Sequence, residues 1–114
     1  MVRNSAIFVA VSGDDVAGAV AGLYRDSVED RGLGAMWVAP PWRGRGVAGM
    51  LVAAVTAWSR SGKAVRVRLW VPDDNARARR LYEREGFRLT GKRRSFPGDP
   101  DRQINEMSFA LARI

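Results

Sequence analysis

The sequence predicts an α/β domain: an α+β mixed sheet in the order β-β-β-α-β-α-β-β, with one parallel pair of strands. Three observations carry this prediction. Short apolar or alternating runs bounded by turn residues mark strands near both ends of the chain. Two stretches, 47–60 and 75–86, space their apolar residues at helical intervals instead. A strand precedes the first of these helices and another follows it, an order that closes as a parallel crossover.

Residues 6–11 are a β-rich apolar run, Ser12-Gly13-Asp14-Asp15 is turn chemistry, and 16–24 is a second run, so the three read as an antiparallel hairpin. Residues 26–32 are polar and loop-like. A third strand, 33–38, must end at Ala39-Pro40-Pro41, because proline has no N–H to give a ladder. In the first helix Val47, Leu51, Val55 and Trp58 recur at helical spacing, Ala48 and Val52 widen the stripe, and Ser61-Gly62-Lys63 ends it. Val65, Val67, Leu69 and Val71 then alternate with Arg66, Arg68 and Trp70 as far as Pro72-Asp73-Asp74. Asn75 is placed to cap the second helix, along which Ala78, Leu81, Tyr82 and Glu85 share neighbouring rows. Gly86 is placed to close it in a left-handed conformation. Residues 88–94 and 103–112 read as a final strand pair around the turn "SFPGDPDR".

At 114 residues the chain is expected to be a single domain, 1–114, with one hydrophobic core and no room for separate cofactor and substrate domains. It contains no cysteine and no histidine, which removes disulfides, Cys/His metal sites, thiol nucleophiles and imidazole-based triads. No metal site is expected. The apolar run near the N-terminus is too short for a signal h-region or a membrane span, so no membrane association and a cytoplasmic setting are expected. The net charge of +7 is concentrated: between 77 and 94 there are eight basic residues against Glu83 and Glu85. Such an excess suits a polyanion, but a solvated helix face followed by an Arg-rich edge strand explains it more simply.

The stretch "WRGRGVAGM", Trp42 to Met50, carries the G-x-G-x-x-G spacing at Gly44, Gly46 and Gly49. Alone it is a weak signal. A Walker loop is excluded, because Met50 and Leu51 stand where its Lys and Ser/Thr should be. A dinucleotide turn is disfavoured: five residues separate the preceding strand from the first glycine, and the strands before it form hairpins. Taken as Arg43-x-x-Gly46-x-Ala48, the stretch is an Arg-flanked small-residue turn opening a helix, where backbone N–H groups can approach phosphate oxygens. A Gly-rich helix start with no ligand remains open from the turn alone.

That unit resembles the pyrophosphate loop, Q/R-x-x-G-x-G/A, of the GCN5-related N-acetyltransferase (GNAT) family. Its neighbours resemble the same family in order: "LGAMWVAP" its fourth strand, "VRVRLWVPDDN" its fifth, and "NARARRLYEREGF" the helix after it. The resemblance spans roughly 6–111 and is strongest over 33–87. It implies a GNAT-like acyl-CoA N-acyltransferase fold in which the parallel pair splays apart to admit acetyl-CoA. By the same resemblance, Met36, Trp37 and Val38 offer backbone groups to the pantetheine arm. Arg43, Gly44, Arg45, Gly46, Val47, Ala48 and Gly49 wrap the pyrophosphate, Asn75 hydrogen-bonds the cofactor arm, and the basic excess between 77 and 94 serves the cofactor's phosphates in part. Tyr82 matches the family's usual general acid, and so contacts the cofactor's thiol end, while the amide near Val38 matches its oxyanion donor.

The implied reaction passes the acetyl group of acetyl-CoA directly to a primary amine of a small molecule or protein, which needs no enzyme nucleophile. Many members carry a glutamate in the fourth strand, but "LGAMWV" has no acidic residue, leaving water or a loop carboxylate such as Asp26, Glu29 or Asp30 as the base. Relatives usually open with a strand and two helices before the strand that 6–11 resembles, so the domain is naturally minimal, or the sequence is shortened, or a partner completes it; 6–11 is then expected to be an apolar edge strand that joins a homodimer. Two rival readings remain. One is a degenerate, non-catalytic module that binds acyl-CoA or a protein. The other is a basic nucleic-acid-binding domain, which is disfavoured because no recognition helix or aromatic RNA motif is present.

Overall fold

Six strands and two helices follow one another in the predicted order in a computed structural model that describes residues 5–111. They are β1 Ser5–Ser12, β2 Asp15–Tyr24, β3 Asp30–Val38, α1 Val47–Ser61, β4 Arg66–Pro72, α2 Ala76–Arg84, β5 Arg88–Phe96 and β6 Asp99–Ala110. A 3-10 turn, Pro40–Trp42, leads from β3 toward α1. The sheet order is β1-β2-β3-β4-β6-β5, and β3 with β4 is the parallel pair.

Two boundaries differ from the sequence reading in ways that matter. β3 starts at Asp30, inside the stretch read as loop, and its first three residues make the whole parallel contact: Asp30 opposite Arg66, Arg31 opposite Val67, Gly32 opposite Arg68. Polar composition hid this strand because its charge is matched across the ladder. Asp30 meets Arg66 at 3.0 Å and Arg68 at 3.8 Å. The last hairpin is also tighter than expected, with β5 running to Phe96 and β6 starting at Asp99 around Pro97-Gly98. The predicted end at residue 112 lies outside the described residues.

The core forms between the sheet and α1, with Val20, Val52, Val55, Val67, Phe87 and Met107 at most 1% exposed. α1 rests almost on the backbone of β2: a Cβ on Gly22 would stand 2.7 Å from the Trp58 ring, and one on Gly18 would stand 3.1 Å from Leu51 Cδ1. Trp58 is therefore at the margin of the core, edge-on to Phe8 and Tyr24, while Ser59, absent from the predicted stripe, is fully buried with its hydroxyl donating to the Val55 carbonyl at 2.7 Å. α2 docks beside α1, close enough that Glu85 reaches Gly49. Beyond Gly32 and Arg68, β3 and β4 no longer pair, whereas β4 stays in register with β6 to Pro72 opposite Ile104. The parallel pair therefore opens at its C-terminal end.

Candidate active site

The opening has a local cause in β3. Its register against β2 slips by one residue between Ala19 and Ala21, and Ala35 takes φ +52, a conformation uncommon for a residue with a Cβ. A bulge of this kind inserts an unpaired residue and bends its strand. After it, regular alternation resumes. The Ala39 N–H donates to the Ala17 carbonyl at 2.8 Å and Trp37 lies opposite Ala19, so these residues face β2. Met36 and Val38, one step out of phase, turn their N–H and C=O groups toward the gap. The Val38 carbonyl accepts from Arg43 Nε at 3.0 Å, which pins that guanidinium at the gap's mouth.

A cleft of about 890 Å³ continues from the gap between α1 and α2. One wall is the turn 42–49. Gly44 and Gly46 have φ of +74° and +83°, and no atom lies within 4 Å of where either Cβ would stand. Gly46 is also the N-cap of α1, whose first turn contains no acidic residue. Its unpaired N–H groups and positive helix end are thus presented with no carboxylate in that turn to neutralise them, an arrangement suited to a phosphate oxygen. The other wall is α2, which contributes Arg77, Ala78, Arg80, Leu81, Arg84 and Glu85.

Most of the residues singled out from sequence converge here: Met36, Val38, Arg43, Gly44, Gly46, Val47, Ala48, Gly49 and Asn75 all line the cleft. Trp37, Arg45 and Tyr82 do not. Trp37 is turned to β2 as its strand alternates, and Arg45 lays its guanidinium 4.5 Å from the centre of the Trp42 ring. Tyr82 is 7% exposed and packs edge-on against Phe87, with ring centres 5.8 Å apart. Burial raises its phenolic pKa above the ordinary value of 10, so the hydroxyl stays protonated at neutral pH. Asn75 caps α2 as expected, its Oδ1 accepting from the Ala78 N–H at 3.1 Å.

The carboxylates offered as bases require correction. Glu29 and Asp30 sit at the closed end of the parallel pair, paired with Arg66 and Arg68. Eight residues of extended strand separate Asp30 from Val38, about 26 Å, so neither reaches the gap. Asp26 lies in the loop at that same end. Trp42 is a lining residue that the sequence reading did not single out, while Arg77, Arg80 and Arg84 belong to the basic excess that the resemblance offered in part to the cofactor's phosphates. The spacing of Arg77, Arg80 and Arg84 at i, i+3 and i+7 was the available signal. Among the described residues no three His, Cys, Asp or Glu side chains converge as a metal site, and no helix is long and apolar enough to cross a membrane.

The family model described as the Acetyltransferase (GNAT) family matches residues 2–87. The chain belongs to the GNAT acetyltransferase family. Over 71 residues it is 36% identical to an uncharacterized N-acetyltransferase of Mycobacterium tuberculosis (strain ATCC 25618 / H37Rv), a match covering 62% of this chain and 46% of that protein. The chain thus spans about half the length of the curated relatives it matches. Among solved structures, nourseothricin acetyltransferase superposes with a TM-score of 0.86 at 32% identity, covering 96% of this chain and 66% of the other. A GNAT family acetyltransferase from Elizabethkingia anophelis with acetyl-CoA bound gives 0.83 at 16% identity, covering 95% and 77%. That second likeness shows the fold.

Proposed function

We propose that the chain is the acetyl-CoA-binding and catalytic part of an N-acetyltransferase, carrying the acetyl group of acetyl-CoA directly to a primary amine of a small molecule or protein. The observation that carries the reading is the continuity of the β3–β4 gap with a phosphate-suited cleft: strand-edge amides at one end, an Arg-flanked helix N-terminus at the other. Acetyl-CoA has a matching order of parts, an amide-rich arm followed by a diphosphate. The names of related proteins support it, since one acetylates nourseothricin and another was solved with acetyl-CoA bound.

In this reading Met36 and Val38 pair with the arm as an added strand, and the Val38 N–H stabilises charge on the acetyl oxygen as the amine attacks. Gly44, Gly46, Val47, Ala48 and Gly49 give backbone N–H groups to the diphosphate, with Arg43 held beside them by the Val38 carbonyl. Arg45, stacked on Trp42, stiffens the turn. Tyr82 donates a proton toward the departing thiolate. Water takes the amine's proton, because the loop carboxylates are too far away. A thermal-shift measurement tests the reading: acetyl-CoA at about 100 times its dissociation constant adds roughly 2.7 kcal/mol, several degrees for a domain this size. No shift at millimolar acetyl-CoA or CoA overturns it, while binding without turnover on any amine identifies a non-catalytic module.

Asn75 is assigned two jobs, capping α2 and donating from Nδ2 to the cofactor arm. Asn75→Asp keeps the cap acceptor and removes the donor, so it is expected to leave stability within about 0.5 kcal/mol while weakening acetyl-CoA binding. Asn75→Ala loses both, costing about 1 kcal/mol of stability as well. Urea denaturation and calorimetric titration separate the two effects. Equal binding by wild type and Asn75→Asp removes the cofactor role.

We further propose that the single domain works in the cytoplasm as a homodimer joined at β1. Ile7, Val9 and Val11 are 64%, 52% and 67% exposed along this strand, which pairs only with β2 among the described elements. An apolar strand with a free edge is a template for a second strand. Light scattering at tens of micromolar is expected to give the dimer mass. A soluble, folded monomer refutes the interface.

A further inference from the structure

The α2 wall of the cleft carries more positive charge than a diphosphate held by the opposite wall needs. Arg77, Arg80 and Arg84 line the cleft at i, i+3 and i+7, one continuous edge of a nine-residue helix. Seven residues of helix put the first and last of their backbones about 10 Å apart. None of the three takes part in an ion pair among the described residues, whereas Arg79, which does not line the cleft, is matched by Glu83 at 3.8 Å. Glu85 is the single acidic lining residue, and it is set against Gly49 on the α1 side. The turn wall meets one anionic group with its own means, which are backbone N–H groups, a helix end and Arg43.

We propose that Arg77, Arg80 and Arg84 form a separate subsite for a phosphomonoester, the 3′-phosphate of coenzyme A. The assignment rests on the acetyl-CoA reading above and deepens it. A phosphomonoester carries close to two charges at neutral pH and three terminal oxygens, which suits guanidinium forks in series. A diphosphate bridge has no such end. Lysines in these places would supply point charges without the paired N–H geometry. The subsite predicts discrimination that the turn wall cannot supply, between coenzyme A and its 3′-dephospho form, since both keep the arm, the diphosphate and the adenosine.

The test is calorimetric titration of the full chain with coenzyme A and with 3′-dephospho-coenzyme A, in wild type and three variants. Wild type is expected to bind coenzyme A at least tenfold more tightly. Arg80→Gln/Arg84→Gln is expected to bring the two affinities within twofold, with binding of the dephospho form unchanged and the far-UV spectrum kept. Arg80→Lys/Arg84→Lys restores the charge but not the forks, and is expected to recover only part of the preference. Arg79→Gln removes the same type of charge outside the cleft, so it is expected to keep the full preference and thereby exclude a general effect of net charge. Adenosine 3′,5′-bisphosphate binding more tightly than adenosine 5′-monophosphate reports the subsite without the arm. Equal binding of both coenzymes by wild type, or a preference that survives Arg80→Gln/Arg84→Gln, overturns the subsite and leaves the acetyl-CoA reading standing. Binding of neither coenzyme overturns both.

Discussion

Gly46→Val is expected to abolish the thermal shift given by acetyl-CoA while leaving a folded protein. Gly46 holds φ +83 at the N-cap of α1, and its missing Cβ points into space free of protein atoms on the cleft side. Two effects follow from adding a side chain, and they can be separated. The left-handed conformation costs an L-residue roughly 1–2 kcal/mol, more when the side chain is β-branched. The isopropyl group also stands where a phosphate oxygen must approach the N–H groups of the turn. Gly98 supplies the control: it has the same φ of +83 and the same open space, but it lies in the β5–β6 turn, away from the cleft. Gly98→Val is therefore expected to lose comparable stability and keep the full acetyl-CoA shift. NADH and ATP are expected to shift neither wild type nor variant. A full shift with Gly46→Val shows that the turn does not hold the ligand.

The parts of this architecture written in local chemistry could be read from sequence, and the parts set by partners could not. The stripe Val47, Leu51, Val55 fixed α1, and Asn75 with Gly86 bracketed α2, because caps and periodicity act within a few residues. The closed end of the parallel pair was missed, since Asp30 and Arg31 read as loop until Arg66 and Arg68 are brought beside them from thirty-six residues along the chain. The bulge was missed for a related reason. A left-handed residue is usually announced by glycine, yet here Gly34 stands next to the turn of the strand and Ala35 makes it.

The same distinction divides the site. Residues whose role is carried by backbone in a turn, Gly44 to Gly49 except Arg45, line the cleft together, in the stretch that the resemblance pointed to. Trp37 and Arg45 fail to line the cleft because strand alternation and a neighbouring indole decide where they go. The basic excess between 77 and 94, read from composition as solvated surface and from the resemblance as serving the cofactor's phosphates in part, is divided by the fold. Arg77, Arg80 and Arg84 turn to the cleft, Arg93 pairs with Asp73 at 2.6 Å, and Arg94 lies over Trp70. A charge total cannot reveal that division; helical spacing carries the part of it that lies on α2.

Tyr82→Phe is expected to lower kcat by about 10²-fold while keeping the acetyl-CoA thermal shift. The competing view is that Tyr82 only packs, and its position gives that view weight: it is 7% exposed, stacked edge-on with Phe87, and outside the residues that line the cleft. The substitution leaves the ring in place, and the hydroxyl makes no protein hydrogen bond among the described residues, so stability is expected to change by no more than about 0.5 kcal/mol. Any large effect then belongs to the proton. Burial raises the phenol above its ordinary value, so the hydroxyl holds its proton more tightly than an exposed tyrosine does, which disfavours complete transfer to a free thiolate. The useful act is donation in the transition state, with solvent restoring the proton afterward. The pH dependence has a fixed sign: because burial raises the phenolic pKa, the donor is protonated at neutral pH, and the rate falls as pH rises through the raised value. That alkaline limb is expected in wild type and absent in Tyr82→Phe. Full turnover by Tyr82→Phe on an accepted amine, with the limb intact, assigns protonation of the thiolate to water and Tyr82 to packing.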